Sequence, residues 1–307
     1  TVLALYRECA RQMKAVNPDI KVGGPALCAP VSWAVRDFLE ACGDAVDFVS
    51  WHDYPTGSAE TTDEALLLRV TEGKRFLPAT RAIERVLDEL GRPELPLFMD
   101  EFHINYAAWK PRDTRTATQF SAVFAASVFA NLHSTRLASA MIHDLVSANY
   151  GLLGPASRDK SSRELGLVPD SADADPIHVR PVGWVYRWFN QLVRGEWVDC
   201  RVDLPPADAS GPRGPLLDAC AWADAGQWGV LLVNKDTAPH DVALHTSCPV
   251  HAEGFALPMT VYTLACERPC EAAASGTRDG TWRTQLPPMS VTFVAAPRSP
   301  AQGSPRP

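Results

Sequence analysis

Three short clusters in the 307-residue chain carry groups able to move protons or attack carbon: His52-Asp53-Tyr54, Asp100-Glu101-Phe102-His103 and His143-Asp144. Each ends or follows a nearly continuous apolar run, within Val46–His52, Leu95–His103 and Ala138–His143 respectively. An apolar strand that ends in a carboxylate loses hydration without gaining packing, which points to chemistry at Glu101 more than to stability. The competing reading is a carboxylate salt-bridged at a rim. Side chains alternate along a strand, so regular geometry lets only one of Asp100 and Glu101 face a shared opening; one is expected to act and the other to support it. His52, His103 and His143 at three successive strand ends also permit imidazoles and carboxylates around a metal ion, although no HxH or HExxH spacing accompanies them. Trp33, Trp51, Tyr106 and Trp109 lie near the same strand ends and offer apolar ring faces for stacking, or simply for packing.

Such side chains need a scaffold, and the hydropathy pattern supplies β/α units. A helix carrying Val2, Tyr6, Cys9, Met13 and Val16 on one face stops at Asn17-Pro18. A short strand over Ile20–Ala26 leads through Ser32, a plausible N-cap, to a helix presenting Val35, Phe38, Leu39 and Cys42. After the strand Val46–His52 and a polar loop comes a helix with Ile83, Val86, Leu87 and Leu90. The alternation repeats with the strand Leu95–His103, a helix marked by Phe120, Val123, Phe124, Ser127 and Val128, and the strand Ala138–His143. A last helix carries Val182, Val185, Tyr186, Phe189 and Leu192.

Strands that alternate with helices and read as unbroken apolar runs imply a parallel sheet buried on both faces. In a closed (β/α)8 barrel reactive groups sit at the C-terminal ends of the strands, where all three clusters fall. Four strands are half of such a barrel. The expected fold class is therefore α/β, the C-terminal half of a (β/α)8 TIM barrel, with the other half upstream of Thr1. Beyond about Gly195 the runs Gln227–Asn234, Asp241–Cys248, Pro258–Ala265, Thr281–Leu286 and Ser290–Ala296 are short, β-rich and punctuated by Pro, Gly and Asp. They predict a small antiparallel β-sandwich. The expected domains are residues 1–194 (partial barrel), 195–296 (sandwich) and a disordered Pro/Ser/Gly-rich tail, 297–307.

Composition narrows the function classes. A net charge of -7, from 29 Lys+Arg against 36 Asp+Glu, has no basic stripe to hold a phosphate backbone, so no nucleic-acid partner is expected. The most apolar stretch, Phe120 to Leu132, is shorter than the ~20 residues that cross a bilayer, so no membrane span is expected. The 8 cysteines show no CxxC pair. Cys9 and Cys42 are expected as small buried hydrophobes, while Cys248, Cys266 and Cys270 lie close enough for one disulfide in an exported protein. Compartment and oligomeric state are left open.

The segments Asn17–Ala26, Asp37-Phe38-Leu39 and Val46–Tyr54 resemble, in order and spacing, the fifth and sixth strand regions of family 39 glycoside hydrolases, the β-xylosidases and α-L-iduronidases of a retaining (β/α)8 clan. Leu97-Phe98-Met99-Asp100-Glu101 is similar to that family's seventh strand, and Gly151-Leu152-Leu153 with the helix from Arg180-Pro181 to Phe189 to the segment after the eighth. The resemblance implies a retaining glycosidase with Glu101 as nucleophile. It implies a carbohydrate substrate, which His52, Tyr54, His103, His143, Asp144 and Trp109 are expected to contact from their places at and after the strand ends, with Tyr54 also placed to orient the reactive carboxylate; neither cofactor nor metal is expected. Two departures accompany it. The family's acid/base glutamate belongs to a strand that would precede the first helix, so residues 1–307 alone would be inactive. The clan's tryptophan at the end of strand eight is replaced by Met141-Ile142-His143-Asp144. The alternative is a non-catalytic carbohydrate-binding or scaffold protein on the same fold.

Overall fold

The computed structural model describes residues 1–71, 75–108, 113–147, 150–155, 177–202, 216–245, 258–275 and 281–297. Helix α1 (Val2–Val16) precedes strand β1 (Gly24–Leu27), followed by α2 (Ser32–Cys42), β2 (Val49–Asp53), α3 (Asp63–Thr71), α4 (Phe76–Glu89), β3 (Leu97–Phe102), α5 (Gln119–Leu132) and β4 (Leu137–Ile142). The four strands form one parallel sheet in the order β1-β2-β3-β4. Successive neighbours joined by helices are the topology of consecutive barrel units. A small antiparallel pair, β5 (Leu153–Pro155) and β6 (Ile177–Val179), leads into α6 (Pro181–Leu192), which starts on a proline whose missing N–H costs nothing at that position.

The remaining strands are all antiparallel. They are β7 (Glu196–Val198), β8 (Leu217–Ala223), β9 (Gln227–Asn234), β10 (His240–His245), β11 (Pro258–Ala265), β12 (Arg268–Ser275), β13 (Thr281–Leu286) and β14 (Ser290–Pro297). Six pair in the order β12-β11-β14-β9-β8-β7, and β10 pairs with β13. The period-2 alternation of β9 explains how the six-stranded sheet serves two cores. Val230 and Leu232 pack inside the sandwich with Val294, Trp282 and Leu286, whereas Leu231 and Val233 join the main core on the opposite face.

Helix α5 fills the space between the parallel sheet and the sandwich, which is why its sequence is apolar all round rather than on one stripe. Phe124 meets Phe76, and Phe129 meets Phe102, Tyr186 and Phe189. On the sandwich side, the Gln119 amide donates to the carbonyls of Leu264 and Met289, and the Ser127 hydroxyl donates to Asp218. Asp218 in turn pairs with Lys235 at 3.0 Å, both side chains being almost fully buried.

Several expectations change. Ser32 is the first residue of α2, not its cap; Val31 takes the cap position with no side-chain hydrogen bond. Cys9 is exposed while Cys42 is buried, because α1 turns Leu3, Tyr6 and Ala10 inward and leaves Val2, Met13 and Val16 outside. The Tyr6 hydroxyl fixes that rotation by donating to the carbonyls of Val22 and Ala45. The loop after β2 contains a helix, α3. Cys266 and Cys270 are free thiols, and Cys248 lies outside the described residues. Pro297 is the last residue of β14, paired with Gln227; residues 298–307 lie outside the described residues.

Candidate active site

Glu101 sits one residue from the C-terminal end of β3. Its neighbour in β2 is His52, and the two strands shift register between Trp51 and His52. The β3–β4 pairing shifts as well, between Met99 and Phe102. These irregularities break the alternation expected for β3: Asp100 and Glu101 are consecutive and both half-buried, between buried Met99 and Phe102. Both carboxylates therefore reach one imidazole. His52 Nε2 lies 3.7 Å from Asp100 Oδ1, and His52 Nδ1 lies 3.8 Å from Glu101 Oε2. The two carboxylates approach different nitrogens of that ring, and the Asp100 oxygen that does so is enclosed.

The other oxygen of Glu101 is held tightly. The Tyr54 hydroxyl donates to Oε1 at 2.6 Å. Burial, together with the carboxylate it contacts, raises the Tyr54 pKa well above that of free tyrosine, which keeps the phenol protonated as a donor. Tyr106, 59% exposed, stands edge-on to Tyr54 at 6.3 Å.

β4 delivers the third cluster. The His143 backbone N–H donates to the Phe102 carbonyl at 3.0 Å, extending the strand pairing by one bond. Its Nδ1 comes to 3.8 Å from Glu101 Oε2, and its Nε2 to 3.8 Å from Asp144 Oδ2. The Tyr150 ring lies 5.2 Å from the His143 ring, and the Tyr150 hydroxyl accepts from the Ala108 N–H at 2.8 Å. Tyr150 was not singled out in the sequence; the signal for it is its position, seven residues after His143.

Thus His52, Tyr54, Glu101, His143 and Asp144 converge, with Asp100 added. His103 does not. It is fully buried, its Nδ1 accepts from the Ile104 N–H at 2.8 Å, and its ring packs against Tyr150. In this position it supports Tyr150 and does not reach a ligand in the opening, nor does it complete a three-histidine set with His52 and His143. Trp51 is likewise fully buried in the core and offers no face for stacking; Trp33 is 69% exposed, and Trp109 lies outside the described residues. Asp53, on the opposite face of β2, is buried and paired with Arg75. Burial outweighs that guanidinium and pushes its carboxyl up to about 6. A separate cleft of about 410 Å³ runs between Glu60, Asp63 and Arg115 and does not include Glu101. Its guanidinium is already committed to Asp113, Asp63 and the carbonyls of Thr61 and Ala59.

Burial pushes the His103 pKa down to about 3, only partly offset by the Tyr150 backbone. The native state therefore keeps His103 neutral while the unfolded chain takes up a proton below its ordinary value of 6.5. Its contribution to stability is complete above pH 6.5 and is lost as pH falls toward 3, by up to about 1.4 kcal/mol per pH unit. Urea midpoints measured across that window should fall more steeply for the wild type than for His103→Gln; equal slopes would remove His103 as the cause.

The chain has counterparts in sequence and in fold among known proteins. The model of glycosyl hydrolases family 39 matches residues 1–146. A β-xylosidase of Geobacillus stearothermophilus is 31% identical over 113 residues, which are 35% of this chain and 22% of the relative. Among solved structures, the α-L-arabinofuranosidase of Thermotoga maritima in complex with arabinose superposes with a TM-score of 0.66 at 17% identity, covering 95% of this chain and 61% of that one. A family 39 enzyme of Xanthomonas axonopodis pv. citri gives 0.57 at 15% identity, covering 97% and 64%. The chain thus spans less than two thirds of these structures, and its match to the xylosidase spans less than a quarter of that relative. In fold the chain is the C-terminal half of a (β/α)8 barrel followed by an antiparallel β-sandwich, and over residues 1–146 its sequence is similar to that of glycosyl hydrolases family 39.

Proposed function

We propose that this protein acts as a retaining, β-xylosidase-like glycosidase in which Glu101 is the nucleophile. Residues 1–194 would carry the catalytic half-barrel and residues 195–296 the sandwich that braces α5 and α6. The observation that carries the reading is the asymmetry of one carboxylate: Oε1 of Glu101 is tied to Tyr54, while Oε2 has, among the described residues, two imidazole nitrogens at 3.8 Å and no hydrogen bond. That leaves Oε2 free to attack. In the first step Oε2 bonds to the anomeric carbon as the glycosidic C–O bond breaks, and the leaving oxygen takes a proton from a second carboxyl. In the second step water adds its oxygen to the anomeric carbon, returns a proton to that carboxylate and releases Glu101. Retention requires the two carboxyls about 5–5.5 Å apart. The family resemblance assigns the second one to a strand preceding α1. His52 and His143 flank the ester-forming oxygen, and Tyr54 draws charge from the other oxygen when the leaving bond re-forms the carboxylate.

A 2-deoxy-2-fluoro-β-xyloside with a dinitrophenolate leaving group tests the assignment, because its activated leaving group needs little protonation while the fluorine slows release of the ester. Peptide mass spectrometry is expected to find the fluorosugar on the peptide containing Glu101. Labelling of another carboxylate, or an inverted product from an aryl β-xyloside, would overturn it.

A further inference from the structure

His143 and Asp144 occupy the end of β4 in an arrangement that Glu101 alone does not explain. The His143 Nε2 and Asp144 Oδ2 are 3.8 Å apart, too far for a direct hydrogen bond. Asp144 Oδ1 is enclosed and has no hydrogen-bond partner among the described residues, although enclosed carboxylate oxygens are normally satisfied. The hydrogen-bonding capacity of Asp144 is therefore uncommitted, while the carboxylate stays about one third exposed. One hydroxyl oxygen placed about 2.8 Å from each group fits the gap, donating to the carboxylate and accepting from the imidazole N–H. The His143 ring is braced for this by Tyr150, whose own hydroxyl is engaged by the Ala108 N–H.

The two nitrogens of an imidazole point away from each other. Nδ1 of His143 lies 3.8 Å from Glu101 Oε2 and Nε2 lies 3.8 Å from Asp144 Oδ2, so the Nε2–Asp144 gap is at the other nitrogen of the ring from the proposed nucleophile. A hydroxyl held there is not the one next to the bond under attack but one farther round the sugar. The geometry points to Asp144 and His143 as a specificity pair that reads a glycone hydroxyl remote from the anomeric carbon. The wall after β4 then selects by hydrogen bonding rather than by stacking. This rests on the reading of Glu101 as nucleophile, which orients the sugar.

The test is a binding experiment that needs no turnover. An aryl 1-thio-β-xyloside and its 2-, 3- and 4-deoxy analogues are titrated calorimetrically into the full chain and into Asp144→Ala, while labelling of Glu101 by the activated dinitrophenyl xyloside is followed in parallel. Loss of the 3- or the 4-hydroxyl is expected to weaken wild-type binding on the order of 10- to 100-fold. Asp144→Ala should weaken the parent by a similar factor and no longer distinguish it from that analogue. Asp144→Asn, which keeps the shape of the side chain, should fall between the two, and it carries the test should the alanine variant fold poorly. Unchanged ratios in these variants, or a wild type that binds the 3- and 4-deoxy analogues as well as the parent, overturn the inference. The two proposals fail separately. Hydroxyl-dependent binding with no fluorosugar on Glu101 from the activated dinitrophenyl xyloside, whose leaving group needs little protonation, sinks the glycosidase reading, whereas labelling of Glu101 with unaltered ratios sinks only the role of Asp144 and His143.

Discussion

In a chain extended upstream to include the strand that carries the acid/base, Glu101→Gln is expected to lower kcat for an aryl β-xyloside on the order of 10⁴-fold or more, because the variant has no anionic oxygen to bond to the anomeric carbon and the two-step route is closed. Its folding midpoint should stay close to wild type: Glu101 is only half-buried, and a glutamine oxygen can still accept from Tyr54. Glu101→Ala adds a diagnostic readout. Azide can enter the space left by the carboxylate and attack the sugar once, giving a glycosyl azide of inverted configuration. Tyr54→Phe supplies the graded comparison. It removes one hydrogen bond to a charged group, worth about 1.5–3 kcal/mol, and should cost one to two decades in kcat with little change in KM. A folded Glu101→Gln protein that turns over within tenfold of wild type would end the assignment, and a Tyr54→Phe effect confined to KM would show that Tyr54 contacts substrate instead of orienting Glu101.

The second large effect belongs to stability and lies far from the opening. Lys235 and Asp218 form an ion pair with 2% and 8% side-chain exposure between the six-stranded sheet and α5, and the Ser127 hydroxyl also donates to Asp218. Burial lowers the Lys235 pKa, and Asp218 opposes that fall. Removing one partner leaves an uncompensated buried charge. Lys235→Met should therefore destabilise the protein by about 3–5 kcal/mol in chemical denaturation, whereas replacing both residues by apolar side chains, Lys235→Met with Asp218→Leu, should be far milder. Additive losses in the double variant would mean that the pair is not the reason these charges are tolerated. Because α5 also packs against the parallel sheet, the single substitution should loosen the seam between half-barrel and sandwich while leaving the Glu101 neighbourhood intact.

Much of this arrangement is legible from residue patterns. β9, β11 and β13 have the bounds that their β-rich runs mark out, and the four parallel strands fall within or beside their apolar runs. Both follow from local chemistry: β-branched and aromatic stretches punctuated by Pro, Gly and Asp leave few other structures open. The elements that escaped are those whose conformation is imposed from outside. β12 contains Pro269, Glu271 and three consecutive alanines, which favour no strand by themselves; it exists because eight of its residues pair with β11. β8 reads ambiguously as Leu-Asp-Ala-Cys-Ala-Trp-Ala and is settled by pairing on both sides. α3 lies in a loop rich in Thr, Glu and Asp, and closes over α5 with Leu66, Leu67 and Val70 in the core.

The candidate site divides the same way. By themselves the residues indicated that Glu101 ends an apolar strand and that His52, Tyr54 and His143 follow neighbouring ones, since hydropathy runs mark strand ends and parallel β/α order places those ends together. Tertiary structure alone decided which side chains meet. Register shifts set by β2 and β4, some fifty and forty residues from β3, turned Asp100 and Glu101 toward the same imidazole. Packing against Tyr150 buried His103, and the main core enclosed Trp51. A side chain's identity is written locally, but its direction at an irregular strand end depends on hydrogen bonds to strands distant in the chain, and no local pattern carries that information.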